Sequence, residues 1–96
     1  MPVFSLLRFH ALPACENAAE QALRSVLAAT REEAGCLAIH AFRSIRDPGF
    51  FYIHSQWKDE AALEVHARLP HTVHFIESME SLIDHPFEFT RSERID

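Results

Sequence analysis

The amino-acid sequence predicts an α+β fold, namely a ferredoxin-like, four-stranded antiparallel sheet with helices on one face. The length of 96 residues suits one domain, which we assign to residues 1–96. Strand-forming and helix-forming stretches follow one another in the order β-α-β-β-α-α-β, the split βαβ pattern with one additional helix. The predicted strands are also apolar on both faces, which points to a second layer over the sheet.

The first half of the chain supplies two predicted strands and a helix. Val3–His10 is short, apolar and followed by Pro13, which predicts a strand. Residues 15–34 are rich in Ala, Leu, Glu and Arg and predict a helix. Its apolar stripe at helical spacing comprises Ala19, Leu23, Val26, Leu27 and Thr30. Gly35 stands where a glycine that ends a helix is expected, and Cys36–Ser44 predicts the second strand.

A turn then connects the second strand to the third. Asp47-Pro48-Gly49 is typical of a turn, because proline presets the backbone and glycine tolerates positive φ. Phe50–Trp57 is dominated by aromatic residues and Ile, which favour strands. We therefore predict a β-hairpin at the centre of the sequence.

Two helices and a strand complete the chain. Asp59 is expected to cap a helix that runs to about Leu69, where Pro70 ends it. A third helix is expected over Thr72–Ile83 and a last strand over Phe87–Arg94. The predicted buried stripe of the third helix comprises Phe75, Ile76, Met79, Leu82 and Ile83.

Alternation of side chains along each strand predicts an unusual sheet. In the first strand, Val3, Leu7 and Phe9 are expected on one face and Phe4 and Leu6 on the other. In the second strand, Leu37, Ile39 and Ala41 are expected on one face and Cys36, Ala38 and Phe42 on the other. In the third strand, Phe51, Ile53 and Trp57 are expected on one face and Phe50 and Tyr52 on the other. Helices can cover only one of these apolar faces. We therefore expect a homodimer in which a second copy covers the other face, with a partly exposed apolar face as the alternative.

Composition excludes several classes of function. The net charge is −5, with 14 acidic against 9 basic side chains and no basic stripe, so no nucleic acid is expected as a partner. Cys15 and Cys36 are interpreted as free thiols in a reducing cytosol. The N-terminus lacks the features of a signal peptide, and no apolar run approaches membrane length, so we expect a cytoplasmic protein without a membrane partner.

Seven histidines are the most unusual feature of the composition. His66 follows Ala62 and Leu63 at helical spacing, which places it on the apolar side of its helix. There a neutral imidazole could line a pocket and accept a proton from a substrate, or it could be a core histidine bonded to a backbone carbonyl. His71 lies at the predicted junction between two helices.

A metal site is not predicted from these histidines. His66, His71, His74 and Glu77 match no standard zinc-binding spacing, and His66 and His74 fall on different helices and different faces. A glycine-rich phosphate loop, a G-x-S-x-G elbow and a C-x-x-C pair are also absent from the sequence. No metal and no cofactor are therefore expected.

Several stretches together resemble the antibiotic biosynthesis monooxygenase (ABM) family. They are Arg31-Glu-Glu-Ala-Gly-Cys-Leu37, Arg46-Asp-Pro48, Trp57-Lys-Asp-Glu-Ala-Ala-Leu63, His66 and Pro70-His71. The resemblance implies a dimeric α+β barrel in which two sheets pack face to face. It also implies a cofactor-independent monooxygenase that oxidises a small electron-rich aromatic, a quinol or a polycyclic phenol, with O₂.

The resemblance assigns roles to individual residues. His66, Trp57 and His71 match positions that recur in the family and become the candidate catalytic residues. The pocket between helices and sheet is expected to include Phe51, Ile53, Leu63, Phe75 and Ile76. Many relatives carry Glu directly before the strand-three Trp, where this chain has Gln56. A small-molecule isomerase or a non-catalytic ligand-binding dimer of the same fold therefore remains as the alternative.

Overall fold

A computed structural model describes residues 1–96 and contains four strands and three helices in the predicted order. They are β1 Val3–His10, α1 Glu16–Thr30, β2 Cys36–Arg43, β3 Phe50–Trp57, α2 Glu60–Arg68, α3 Pro70–Met79 and β4 Glu88–Ser92. None of the helices is long and apolar enough to cross a membrane.

The strands form one antiparallel sheet in the order β2-β3-β1-β4. β1 and β3 are central and pair along their whole length, from Val3 opposite Trp57 to His10 opposite Phe50. α1 packs against α3 and β2, and α2 packs against α3 and the end of β3. This arrangement confirms the ferredoxin-like α+β fold.

The core lies between the helices and one face of the sheet. All five residues of the predicted α1 stripe are buried, which confirms that stripe. Phe9 and Phe51 stack beneath it with ring centroids 5.2 Å apart. Both rings are almost inaccessible to solvent, so they anchor the sheet to the helix layer.

The predicted end of α1 is wrong, and Gly35 is needed for a different reason than the one predicted. The helix ends at Thr30, and Gly35 does not have a positive φ. A Cβ atom at Gly35 would instead lie 2.4 Å from the Cβ atom of Ala62 in α2. Glycine is needed here because β2 starts in direct contact with α2, and not because it ends a helix.

Pro70 has a double role that the sequence interpretation only half described. Leu69 is extended, with φ −70° and ψ 147°, as expected for a residue that precedes proline. α2 therefore ends at Arg68, close to the predicted end. Pro70 also begins α3, because its fixed φ suits the first turn of a helix, so α3 starts two residues before the predicted Thr72.

Two predicted apolar stripes, one on β2 and one on α3, are corrected by the structure. The β2–β3 register shifts between Cys36 and Ala38, so Cys36 packs against the core and Leu37 is 53% exposed. In α3, Phe75 and Met79 are buried, but Ile76 is 40% exposed. Helix α3 ends at Met79, so the two later residues of its predicted stripe, Leu82 and Ile83, lie beyond the helix and pack against the core only partly.

The second face of the sheet, which we call the outer face, is also apolar. In the paired register, Phe4, Leu6, Phe42, Phe50 and Tyr52 lie on it, together with His40, His54 and Gln56. Leu6 is 42% exposed and Phe42 53% exposed, so this chain covers them only in part. The alternation predicted for β1 and β3 is confirmed, and the homodimer that it suggested stays a prediction.

Candidate functional site

Three side chains meet at the junction of α2, α3 and the loop before β2. His66 Nδ1 lies 2.9 Å from Oε2 of Glu33, and His71 Nε2 lies 2.7 Å from the same oxygen. The hydroxyl of Thr72 is 3.3 Å from His66 Nδ1. We call Glu33, His66 and His71 the His–Glu cluster.

Local structure brings the two histidines together. The side chain of Asp59 accepts a hydrogen bond from the Ala62 amide at 2.8 Å, which confirms the predicted cap and fixes where α2 starts. His66 lies in the last turn of α2, and His71 lies in the first turn of α3, directly after Pro70. Because the chain changes direction at this proline, the two rings converge although they belong to different helices.

Glu33 is the residue that the sequence interpretation missed. It lies in the loop between α1 and β2, where its carbonyl accepts from the Cys36 amide at 3.1 Å. Its side chain is only 11% exposed, and both histidines contact it. The signal was present, because Glu33 belongs to the stretch Arg31–Leu37 that carries the family resemblance. Gln56 lies on the outer face, so the carboxylate of the cluster comes from the loop before β2.

Trp57 forms the floor of the site. The residue is 1% exposed, and its ring centroid lies 4.6 Å from that of His66, with a tilt of 35°. The indole N–H donates to Ser55 Oγ at 3.0 Å, inside the protein. Trp57 therefore orients His66 by packing, and its N–H is not free to point into a pocket.

The contacts define the hydrogen positions in the cluster. An ionised carboxylate only accepts hydrogen bonds, so His66 Nδ1 and His71 Nε2 both donate to Glu33. In the neutral imidazole of His66 the proton is then on Nδ1 and the lone pair is on Nε2. The partner of His66 is thus a carboxylate, and not the backbone carbonyl of the core-histidine interpretation.

Two hollows border the His–Glu cluster. One, of about 280 Å³, is lined by Glu33, Trp57 and Lys58, with Ala34, Gly35, Ala62, Val65 and Leu69 completing its wall. The other, of about 200 Å³, lies between α1 and α3 and includes His71 and Phe75. We call the first the Trp57 hollow.

The other predicted pocket residues do not gather around one cavity. Ile53 is in the hydrophobic core, and Leu63 is buried on α2. Phe51 lines a groove of about 490 Å³ between α1 and β2, far along the sheet from Trp57. Ile76 faces a third hollow at the connection between α3 and β4. Of the predicted site residues, His66, Trp57 and His71 lie together in the structure. The five predicted pocket residues do not line a common cavity.

A second group of histidines lies at the opposite end of β1. His10 Nδ1 contacts Asp84 at 2.7 Å, and His10 Nε2 contacts Asp47 at 2.9 Å. Asp84 also pairs with His85, which lies 3.1 Å from Glu88. We call these five residues the His10 latch, because they tie β1 to the hairpin turn and to the segment before β4.

The contacts within the latch shift its pKa values. Partial desolvation lowers the pKa of His10, but the hydrogen bonds to Asp84 and Asp47 outweigh it and raise the pKa above its ordinary value. Hydrogen bonds to Asp84 and Glu88 raise the pKa of His85. The hydrogen bond from His85, together with that from His10, lowers the pKa of Asp84.

Comparison with known proteins identifies the family. The sequence profile of the antibiotic biosynthesis monooxygenase family matches residues 2–78. Among curated proteins, none matches the chain in sequence.

Solved structures resemble the chain along almost its whole length. PA3566 from Pseudomonas aeruginosa is 32% identical with a TM-score of 0.92, covering 99% of this chain and 95% of its own. Rv0793 from Mycobacterium tuberculosis shares the fold at 24% identity with a TM-score of 0.94, covering 100% and 97%. A structure described as an antibiotic biosynthesis monooxygenase does so at 21% identity with a TM-score of 0.93, covering 98% and 99%. With its fold and its profile match in agreement, the chain belongs to the antibiotic biosynthesis monooxygenase family.

Proposed function

We propose that this protein is a cofactor-independent monooxygenase that oxidises a small quinol or polycyclic phenol with O₂. The observation that carries the proposal is the Glu33–His66 pair, stacked on Trp57, in a member of a monooxygenase family. The pair supplies what the chemistry needs from the protein, which is a base held in one orientation.

His66 is the proposed base. Because Glu33 accepts from Nδ1, the lone pair of Nε2 is available for the phenolic proton. Once His66 is protonated, the adjacent carboxylate stabilises the imidazolium, as the carboxylate does in other His–carboxylate pairs. His71, bonded to the same oxygen, holds Glu33 in place.

The Trp57 hollow is the proposed substrate site. Ala62, Val65 and Leu69 give it an apolar wall, and it is bordered by Glu33 and Trp57, which both contact the His66 ring. The ammonium of Lys58 is the cationic group of its lining and would attract the phenolate formed on deprotonation. Its volume of about 280 Å³ suits a one-ring or two-ring aromatic.

The reaction needs no added reductant. Deprotonation makes the aromatic a much stronger electron donor, so it can pass electrons to O₂ directly. One oxygen atom enters the ring and the other leaves as water: a hydroquinone and O₂ give a hydroxybenzoquinone and H₂O. The substrate supplies all the electrons, and the protein supplies the base, the cation and an apolar surface.

Oxygen uptake tests the proposal. Incubation with a panel of hydroquinones and naphthohydroquinones, the one-ring and two-ring sizes that suit the Trp57 hollow, is expected to consume O₂ with at least one member. His66→Ala should lower kcat by about 10²- to 10⁴-fold, the usual contribution of a general base. His74→Ala is the matched control, because His74 is exposed on α3, its side chain bonds to Ser78 rather than to the His–Glu cluster, and it does not line the Trp57 hollow. Uptake with no member of the panel, or full activity in His66→Ala, would contradict the proposal.

A ligand-binding dimer or an isomerase is the second candidate. The observation that favours it is Trp57, whose N–H is already satisfied by Ser55 and which is 1% exposed. No indole donor is then available to hold a reacting anion. If the aromatic panel binds to the protein without oxygen consumption, and His66→Ala leaves binding unchanged, this second function is the better account.

We also propose that the outer face is covered by a second copy of this chain. Apolar side chains such as Leu6 and Phe42 remain about half exposed on it, and monomeric proteins rarely expose large apolar patches. Leu6→Glu would place a charge in the middle of the interface and is expected to give monomers. Val73→Glu, at a similarly exposed position on α3, is the control and should stay dimeric. A monomeric mass for the unchanged protein at micromolar concentration, measured by analytical ultracentrifugation, would contradict the proposal.

A further inference from the structure

We propose that the His–Glu cluster is a binding site for one divalent transition-metal ion of the Zn²⁺ or Co²⁺ type, and that the bound ion inhibits the enzyme. Metal binding stands on the geometry of Glu33, His66 and His71. The inhibition rests on the proposed function, in which His66 is the base.

The three side chains offer converging ligand atoms. Glu33 Oε2, His66 Nδ1 and His71 Nε2 all lie within 4.8 Å of one another. The two nitrogen–oxygen distances are 2.9 and 2.7 Å. An ion bound tetrahedrally at about 2.1 Å from each ligand holds neighbouring ligand atoms about 3.4 Å apart, somewhat farther than in the hydrogen-bonded cluster. Small side-chain rotations therefore convert the hydrogen-bonded cluster into a coordination site.

The chemistry of the ligands selects the ion. Two imidazoles and one carboxylate are a common ligand set for Zn²⁺, Co²⁺ and related ions, whereas Mg²⁺ and Ca²⁺ prefer oxygen ligands. Three protein ligands leave a further position for water, and His71 is 30% exposed, so an ion can reach the site from solvent. The Thr72 hydroxyl and the Trp57 ring, both against His66, hold that ring in the required orientation.

A metal ion bound to His66 would inhibit the enzyme because it changes the tautomer that lets His66 act as a base. An ion bound to His66 takes the lone pair of Nδ1, so the proton of the neutral ring must move to Nε2. Nε2 is the atom proposed to accept the phenolic proton, and in the metal-bound form it has no lone pair. Metal and substrate proton therefore compete for one imidazole.

The His10 latch lacks this capacity, although it contains two histidines and three carboxylates. His10 binds Asp84 through Nδ1 and Asp47 through Nε2, on opposite sides of one ring. Ligand atoms on opposite sides of an imidazole cannot converge on one ion. Asp84 also contacts His85, but Glu33, His66 and His71 are the only three such side chains whose ligand atoms all lie within 4.8 Å of one another. Any histidine-based binding of one ion per chain should therefore map to the His–Glu cluster.

Calorimetric titration with Zn²⁺ and the visible absorption of bound Co²⁺ test the site. We expect one ion per chain, with affinity lowered at least about tenfold in His71→Ala and in Glu33→Gln. Glu33→Gln keeps the shape of the side chain, so it decides the question if His71→Ala does not fold. His74→Ala and His85→Ala should bind as the unchanged protein does. Absence of binding up to about 0.1 mM free Zn²⁺, or binding that His85→Ala removes and Glu33→Gln retains, overturns the proposal.

Oxygen uptake in the presence of Zn²⁺ tests the inhibition separately. Activity should fall in proportion to the occupancy measured by calorimetry and return on addition of a chelator. Occupied but fully active protein overturns the inhibition and leaves the metal site standing. If no substrate supports oxygen uptake, the proposed function fails, while the Zn²⁺ titration still decides the metal site.

Discussion

The protein contains two histidine–carboxylate clusters that differ in geometry. In the His–Glu cluster two imidazoles converge on one carboxylate oxygen, and Glu33 is 11% exposed. In the His10 latch two carboxylates hold one imidazole, and both Asp47 and Asp84 are more than a third exposed. The first arrangement leaves an imidazole lone pair free for chemistry. The second uses both nitrogens of His10 as donors and so favours the charged, structural form of the ring.

Residue types alone do not distinguish the two clusters. Both clusters contain histidines and carboxylates at hydrogen-bond distance. What differs is whether two imidazole nitrogens converge on one carboxylate oxygen, as they do on Glu33 Oε2, and whether the carboxylate is shielded from water. A shielded carboxylate orients its histidine more strongly than an exposed one, because screening by solvent weakens the pair.

The largest expected effect on activity distinguishes the two clusters when the same carboxylate-to-amide substitution is made in each. Glu33→Gln keeps the side-chain shape but removes the charge that orients His66 and stabilises its protonated form. We expect kcat to fall by about 10²-fold while KM changes little. Asp84→Asn makes the same carboxylate-to-amide change in the His10 latch and should leave kcat unchanged. Steady-state oxygen uptake measures both variants, and equal losses in the two would remove the functional distinction.

A smaller effect is expected from the two glycines, one beside each cluster. A Cβ atom at Gly35 would lie 2.4 Å from Ala62 Cβ, so Gly35→Ala must push α2 away from β2. We expect a loss of about 1–3 kcal/mol in the free energy of unfolding, as for other overpacked sites. A Cβ atom at Gly49 would lie 3.2 Å from His10 Nε2, a contact that a small shift relieves.

Gly49→Ala should therefore change stability by less than about 1 kcal/mol in either direction. Urea unfolding of both variants makes the comparison. A larger loss in Gly49→Ala than in Gly35→Ala would show that the packing around the two clusters has been misjudged.

The smallest expected effect is the pH dependence of the His10 latch. The folded-state pKa of His10 lies above 6.5, so its stabilising contribution is fully present below pH 6.5 and is lost as the pH rises through the folded pKa. The pKa of Asp84 lies below 3.8, so its contribution is present above pH 3.8 and is lost as the pH falls through the folded pKa. The latch is thus strongest between these two limits.

His10→Gln should flatten the decline in Tm on the alkaline side of that window. Because the latch residues are largely exposed, solvent screening keeps the effect small. Thermal unfolding at several pH values checks the prediction, and His74→Ala provides a histidine variant outside the latch. If Tm declines on the alkaline side as much in His10→Gln as in the unchanged protein, groups other than His10 cause the pH dependence.

Local sequence signals predicted most of the fold because their causes are local. Apolar spacing placed the α1 stripe, aromatic density placed β3, and Asp59 capped α2 as expected. The errors arose where distant parts of the chain meet. Gly35 is needed because α2 packs against it, and the register shift at Cys36 depends on how β2 pairs with β3. Neither cause can be read from neighbouring residues.

The sequence by itself determined the secondary-structure elements and the two apolar faces of the sheet, and its family resemblance singled out Trp57, His66 and His71 as candidates. Only the tertiary structure decided that Glu33, 33 positions before His66, is the common partner of His66 and His71. It also decided that the Trp57 N–H is turned inward and that the predicted pocket residues lie apart. The physical reason is that periodicity and turn residues act within a few positions, whereas a hydrogen bond between a loop and two helices exists only after the chain has packed.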